Sequence, residues 1–84
     1  MQDFTIIAEN MIYAMATSMQ NNLKHFRHRL EMSKTEFASF LNLPLSQYSR
    51  YENQRSQPNI DTLITIRDRL RERIPNLTLD DLIK

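Results

Sequence analysis

The sequence predicts an all-α domain, and three observations support this fold class. The 84 residues include no glycine, whereas average usage of about 7% would supply roughly six, and folds rich in hairpins depend on glycine turns. Apolar residues recur at helical spacing in most of the chain. Helix-start signals precede two of these runs, a Ser33–Glu36 capping box and Asn59 after Pro58. The length fits one small domain with a modest core.

Composition narrows the functional classes. The absence of cysteine excludes a disulfide framework and a thiol-ligated metal, and it is consistent with a cytoplasmic protein. The net charge is only +1, but the first twenty residues contain two acidic residues and no lysine or arginine. The remainder, residues 21–84, therefore carries a net charge of +3, which is a mild bias toward polyanions.

Residues 1–20 are predicted to form an N-terminal helical extension. Its apolar residues at helical spacing are Phe4, Ile7, Ala8, Met11, Ala14 and Met15. The acidic start is unlike a secretory signal, and Glu9 and Asn10 interrupt a run already shorter than the about 18 residues of a membrane span. The segment also has no lysine or arginine to attract anionic lipid, so we expect no membrane contact. The helix either packs on its own domain or contacts a second subunit or a protein partner.

Two further segments outside the centre of the chain are predicted to be helical. Residues 21–31 place Leu23, Phe26 and Leu30 on one face. The helix after Asn59 has an apolar side that is predicted to be buried, made of Ile60, Leu63, Ile64, Ile66 and Leu70. Ile74 and Pro75 are predicted to end it, after which Thr78 caps a last turn carrying Leu79 and Leu82.

The centre of the chain, residues 33–52, predicts two short helices joined by a tight turn. Ser33 and Glu36 mark the start of the first helix, whose buried stripe is predicted to comprise Phe37, Ala38, Phe40 and Leu41. Asn42 tolerates the left-handed conformation that helix ends often need, and Pro44 suits the start of the next helix. The spacing is typical of a helix-turn-helix unit.

The second of these helices, Leu45 to Asn53, has two different faces. At about 100° per residue, one sector carries mostly short polar side chains and a single arginine. Its residues are Leu45, Ser46, Ser49, Arg50 and Asn53. Tyr48, Tyr51 and Glu52 occupy the opposite sector. We expect the tyrosines to anchor the helix and the serine-bearing face to remain outside, either solvated or in contact with a ligand.

Residues 23–83 resemble the lambda-repressor-like helix-turn-helix domains, of the Cro/CI and Xre type. The resemblance rests on Leu-x-x-x-Arg at Leu23 and Arg27, Ser-x-x-Glu-Phe-Ala at 33–38, Tyr-Ser-Arg-Tyr-Glu at 48–52, Pro58, and Leu-x-x-Leu at 79–82. This chain has Asn42 and Gln54 where the family usually has glycine. The resemblance implies a five-helix domain over residues 21–84, an ion pair between Arg27 and Glu52, and sequence-specific binding of double-stranded DNA.

On this interpretation the second helix lies in the major groove of DNA. Arg50 is the candidate for a bidentate contact to guanine, and Leu45 for packing on a thymine methyl group. Ser46 and Ser49 complete the set of candidate base contacts. Candidate phosphate contacts are Lys34, Gln47, Asn53 and Arg55. The function implied is a transcriptional regulator, most simply a repressor acting as a homodimer.

The main alternative is a protein-interaction module on the same fold, such as an antitoxin or a helical assembly subunit. Catalysis has little support, because no phosphate loop, nucleophile elbow or metalloprotease motif occurs. His25 and His28 share a helix face but lie beside cationic residues, so we expect no metal and no cofactor. Four arginines at 67, 69, 71 and 73 are interpreted as a solvated helix face.

Overall fold

The computed structural model describes residues 20–83, and these form five α-helices and no strand. In chain order the helices are α1 (Leu23–Arg29), α2 (Lys34–Phe40), α3 (Leu45–Glu52), α4 (Ile60–Leu70) and α5 (Leu79–Ile83). The all-α fold and the five helices predicted from residue 21 onward are confirmed. The predicted N-terminal helix, residues 1–20, and its subunit or partner contact lie outside the described residues, apart from Gln20.

The core lies where α1, α2 and α3 meet the pair α4–α5. Its fully buried side chains are Leu23, Phe37, Leu41, Tyr48, Ile66, Leu70 and Leu82. The rings of Phe37 and Tyr48 meet edge to face, with centroids 5.4 Å apart and an interplanar angle of 81°. This contact holds α2 against α3, so the two helices of the central unit keep a fixed orientation relative to one another.

The predicted buried side of α4 is only partly correct. Ile66 and Leu70 are fully buried, but Ile60 is 59% exposed and Ile64 is 36% exposed. Ile64 is about 160° around the helix from Ile66 at 100° per residue, so the two side chains cannot face the same core. The helix also ends at Leu70, before the predicted Ile74–Pro75 stop. Leu77, between α4 and α5, is a core residue that helical periodicity did not indicate.

Three consecutive helices end in the same hydrogen-bonded motif. After α1, α2 and α3, the residues Glu31, Asn42 and Gln54 have φ values of 58°, 61° and 61°. In each case two backbone amides bond back to the last turn, as in Arg55 N to Arg50 O and Gln54 N to Tyr51 O. This is the Schellman arrangement, in which glycine is usual. A chain without glycine therefore builds three left-handed helix ends from other residues.

Candidate nucleic-acid interface

Helix α3 is held through one side and exposed on the other. Tyr48, Tyr51 and Glu52 are buried, as the sequence predicted. On the opposite side Arg50 and Ser46 are exposed, and Leu45 is 45% exposed despite being apolar. Ser49 is half-buried, and Asn53, the residue that caps the helix, is exposed. The result is an anchored helix presenting short polar side chains and one guanidinium to its surroundings.

The turn before α3 has the local structure that its residues favour. The capping box of α2 is present, since Ser33 Oγ accepts from Glu36 N at 3.0 Å and Glu36 Oε1 accepts from Ser33 N at 2.8 Å. Asn42 ends α2 in the left-handed conformation, as predicted. Pro44 is the N-cap of α3 and supplies no side-chain cap for that helix. These features orient α3 relative to α2.

A forked ion pair joins α1 to α3. Arg27 donates from Nε to Glu52 Oε1 at 2.9 Å and from Nη2 to Glu52 Oε2 at 3.2 Å, so the structure forms the pair that the resemblance implies. Arg27 also donates from Nη1 to the carbonyl of Met32 at 3.1 Å. Because Glu52 is buried, the pair is a bidentate contact largely withdrawn from water.

Glu52 has two further partners that the sequence analysis missed. The hydroxyl of the fully buried Tyr48 donates to Glu52 Oε1 at 2.5 Å, and Lys34 Nζ lies 3.8 Å from Glu52 Oε2. The contact with Tyr48 could have been found from sequence, because the two residues are four apart on the same helix. Glu52 thus connects α1, α2 and α3 through one carboxylate.

These contacts shift the ionisation of Glu52. Burial by itself would raise the pKa of its carboxyl, but hydrogen bonds from Arg27 and Tyr48 and the charges of Arg27 and Lys34 outweigh it, and the pKa falls below its usual range. Burial, followed by the hydrogen bond to Glu52, raises the pKa of Tyr48. The carboxylate is therefore charged, and the phenol neutral, at neutral pH.

The predicted phosphate-contacting residues lie in three different settings. Lys34, at the start of α2, is half-exposed beside Glu52, so its ammonium already faces a carboxylate. Gln47 donates from Nε2 to the Tyr51 hydroxyl at 2.6 Å and so braces α3 internally. Asn53 and Arg55 are exposed at the end of α3 and in the loop that follows. The four residues therefore do not form one cluster.

Asn21 is a structural residue that sequence analysis did not single out. It is buried, and its Oδ1 accepts from Leu23 N at 3.1 Å while its Nδ2 donates to the Tyr51 carbonyl at 2.9 Å. One side chain thus binds the first amide of α1 and a carbonyl in the last turn of α3. The sequence placed Asn21 inside the predicted helix 21–31, whereas it precedes α1, and its contact with Tyr51 has no local signature.

Of the four arginines predicted to form one solvated helix face, only Arg67 and Arg69 lie on α4, and both are half-buried. Arg69 donates from Nε to the Phe40 carbonyl at 2.9 Å, and its guanidinium carbon lies 5.6 Å from the centre of the Phe40 ring. Arg71, just after the helix, donates from Nε to the Leu77 carbonyl at 2.8 Å. Arg67 contacts its neighbour Asp68. Two of the four arginines thus bind backbone carbonyls of other segments.

No group of three or more potential metal ligands occurs within the part of the chain that the structure describes. His25 instead packs edge to face on Phe26, with ring centroids 5.0 Å apart. Between residues 20 and 83, no helix has both the length and the apolar character needed to cross a membrane.

Comparison with known proteins gives one match. A family model described as helix-turn-helix, of the Cro/CI and Xre type, matches residues 23–82. The matched range begins with α1 and reaches the buried Leu82 of α5, so it covers the first four helices and all of α5 except Ile83. No curated protein and no solved structure matches the chain.

Proposed function

This chain belongs to the Cro/CI and Xre class of helix-turn-helix DNA-binding proteins, and we propose that it is a transcriptional repressor that binds a specific duplex site as a homodimer. The observation that carries the proposal is the two-sided character of α3. Its buried side is fixed by Tyr48, Tyr51 and Glu52, and its exposed side bears the short side chains and the arginine that major-groove contact requires.

Four residues on this exposed side are assigned to base contacts. Arg50 would donate two hydrogen bonds to O6 and N7 of a guanine, and Leu45, already 45% exposed, would pack on a thymine methyl group. Ser46 and Ser49 are short enough to let the helix approach the base edges. Each good bidentate contact contributes about 1–3 kcal/mol of discrimination against the wrong base, so Arg50 dominates the expected sequence preference.

Phosphate contacts are assigned to Lys34, Gln47, Asn53 and Arg55. Lys34 precedes α3 along the chain, Gln47 lies within it, and Asn53 and Arg55 follow it. Together they would fix the register of the helix without reading sequence. Lys34 and Gln47 would first have to turn from Glu52 and Tyr51, their present partners. Asn53 and Arg55 require no such exchange, which favours the loop after α3 as the stronger of the two phosphate-binding ends.

A dimer is proposed because one such domain makes few base contacts. Two copies related by a two-fold axis would place their α3 helices about 34 Å apart, one turn of B-form DNA, and would read a symmetric site. The sequence leaves two roles open for residues 1–20, packing on their own domain and contact with a second subunit or a protein partner, and the proposed dimer favours the second. A cytoplasmic location follows from the proposed role. No cofactor and no catalytic activity are proposed.

Selection from a randomised duplex pool tests this function. The purified chain is incubated with the pool at two salt concentrations, and the bound DNA is sequenced. Enrichment of a two-fold symmetric site supports a dimeric, sequence-specific regulator. Sequence-blind binding that disappears at the higher salt, or no binding, contradicts it. Arg73→Ala is a charge-matched control for Arg50→Ala, because Arg73 is exposed and lies outside α3 and its following loop.

A protein-interaction module is the second candidate function, in the manner of an antitoxin or an assembly subunit. The observation that favours it is the exposed isoleucines Ile60 and Ile64, one turn apart on α4. Analytical ultracentrifugation of the wild type and of Ile60→Ser/Ile64→Ser tests this surface. If the chain shows no DNA sequence preference and its self-association depends on these isoleucines, the interaction module is supported over the regulator.

A further inference from the structure

The loop after α3 is tied to the start of α1 by three amide side chains, Asn21, Gln54 and Gln57, which we call the amide junction. Asn21 N donates to Gln54 Oε1 at 3.1 Å, and Gln54 Nε2 donates back to the Asn21 carbonyl at 3.1 Å. Gln54 therefore pairs with the backbone of Asn21 as a neighbouring strand would. The two residues are 33 positions apart in the sequence.

Gln57 closes the junction. Its Nε2 donates to Gln54 Oε1 at 2.9 Å, and its Oε1 accepts from Asn21 Nδ2 at 2.9 Å. The second Nδ2 bond of Asn21 goes to the Tyr51 carbonyl, so every polar group of Asn21 has a partner. Such fully connected networks specify one arrangement of the segments they join.

Gln54 differs from the other two left-handed residues in what its side chain does. Within residues 20–83, the side chains of Glu31 and Asn42 make no hydrogen bond, whereas that of Gln54 bonds to Asn21 and Gln57. A left-handed conformation is unfavourable for a residue with a Cβ, because the Cβ lies too close to the following carbonyl oxygen. Glycine would avoid this cost at position 54 but would remove the link to Asn21.

We propose that Gln54 is a positioning residue for DNA binding, an inference that rests on the proposed function. The side chain of Gln54 fixes the path of the loop that carries Asn53 and Arg55, the two phosphate-contacting candidates whose side chains have no competing partner among residues 20–83. Apart from the amide junction, backbone bonds from Asn53 N, Gln54 N and Arg55 N to the last turn of α3 hold the start of this loop. Pre-ordering the loop lowers the entropy lost when Arg55 binds phosphate.

The Gln54→Gly substitution distinguishes the effect of the side-chain hydrogen bonds from the effect of the left-handed backbone. Glycine keeps the left-handed backbone and removes the amide, and Asn42→Gly is the matched control, with the same φ of 61° and no side-chain bond to lose. Amide hydrogen exchange in the absence of DNA is expected to be about tenfold faster at Arg55 in Gln54→Gly, and unchanged there in the control. Gln57→Ala, which leaves the left-handed residue in place, is expected to give a smaller increase.

A double-mutant cycle with Arg55→Ala tests the functional step. Using the duplex enriched from the pool, we expect Gln54→Gly to bind about tenfold more weakly than the wild type and with a reduced salt dependence. In the Arg55→Ala background the same substitution is expected to cost less than about twofold, because the contact it positions has been removed.

The outcomes separate this proposal from the proposed function. If the wild type binds its site and Gln54→Gly binds equally well, or if the effects of Gln54→Gly and Arg55→Ala are additive, the positioning role is wrong and the regulator remains. If the wild type binds no duplex, both proposals fail. If exchange at Arg55 is unchanged in Gln54→Gly, the amide junction does not order the loop, whatever the affinity.

Discussion

Arg27 and Glu52 form two hydrogen bonds that join α1 to the buried side of α3, at 2.9 Å and 3.2 Å. The Glu52 side chain is 2% exposed and that of Arg27 is 13% exposed. A pair so far withdrawn from water adds little net stability, because desolvation opposes the attraction. Its consequence is orientation, since it sets which side of α3 faces outward.

Removing either partner should destabilise the fold far more than the pair stabilises it. Arg27→Ala leaves the Glu52 carboxylate buried without its main partner, and we expect a loss of about 3–5 kcal/mol in the free energy of unfolding. Urea denaturation followed by circular dichroism measures it. Lys24→Ala, which removes an exposed positive charge from the same helix, should change stability by less than about 0.5 kcal/mol. Equal effects of the two substitutions contradict this account.

The lowered pKa of Glu52 predicts a loss of stability in acid. The unfolded carboxyl titrates near pH 4.3, and the folded carboxyl below that, so between the two values the unfolded chain binds more protons. The stabilising contribution is therefore complete above about pH 4.3 and is lost as the pH falls through the folded pKa. The slope attributable to this one proton reaches at most about 1.4 kcal/mol per pH unit.

The contribution of Glu52 is measured by comparing the free energy of unfolding of the wild type and of Glu52→Gln between pH 3 and pH 6. The variant should be less stable at pH 6 and should lose less stability on acidification, so the two curves converge. The other carboxyl groups are the same in both proteins and cancel in the comparison. Parallel curves would mean that Glu52 has the same pKa in the folded and unfolded chains.

The sequence predicted the local features of this fold well because their causes are local. The Ser33–Glu36 capping box, the left-handed Asn42 and the Asn59 cap each depend on residues within three positions. The exposure of Ile60 and Ile64 depends instead on how α4 is rotated against its neighbours, which their own apolar character does not reveal. Periodicity identified the helix but overestimated its buried face.

The candidate site shows the same division between local and long-range causes. The exposed and buried faces of α3 follow from helix geometry and were predicted from it, except that Ser49, assigned to the exposed face, is half-buried. The contacts of Asn21 with Tyr51 and Gln54 join residues at least 30 positions apart, and no local pattern in the sequence encodes them. The contact of Lys34 with Glu52 likewise depends on the angle between α2 and α3.

The left-handed residue after α1 offers a stabilising substitution. Glu31 has a φ of 58°, its side chain is exposed, and within residues 20–83 that side chain forms no hydrogen bond. Glu31→Gly should stabilise the fold by about 0.5–1 kcal/mol, because relief of the left-handed backbone outweighs the greater entropy of unfolded glycine. Thermal unfolding should show a rise of a few degrees. Glu31→Ala, which removes the same charge but retains Cβ, should give no such gain.

Two substitutions on neighbouring helices, Arg50→Ala and Lys34→Ala, should affect different parts of DNA binding: the recognition of bases and the contact with phosphates. Arg50→Ala is expected to cost about 1–3 kcal/mol on the selected site and to relax preference at one base position, since the arginine is assigned to a guanine edge. Lys34→Ala is expected to weaken all duplexes alike and to reduce the magnitude of the salt slope by about one unit. Titrations of the selected and a scrambled duplex at several salt concentrations measure both quantities.

Because Lys34 also lies beside Glu52, unfolding of Lys34→Ala must be recorded in parallel, and Arg73→Ala serves as the charge control for both variants. Equal loss of base preference in the two variants would contradict the assignment of Arg50 to sequence and Lys34 to the backbone.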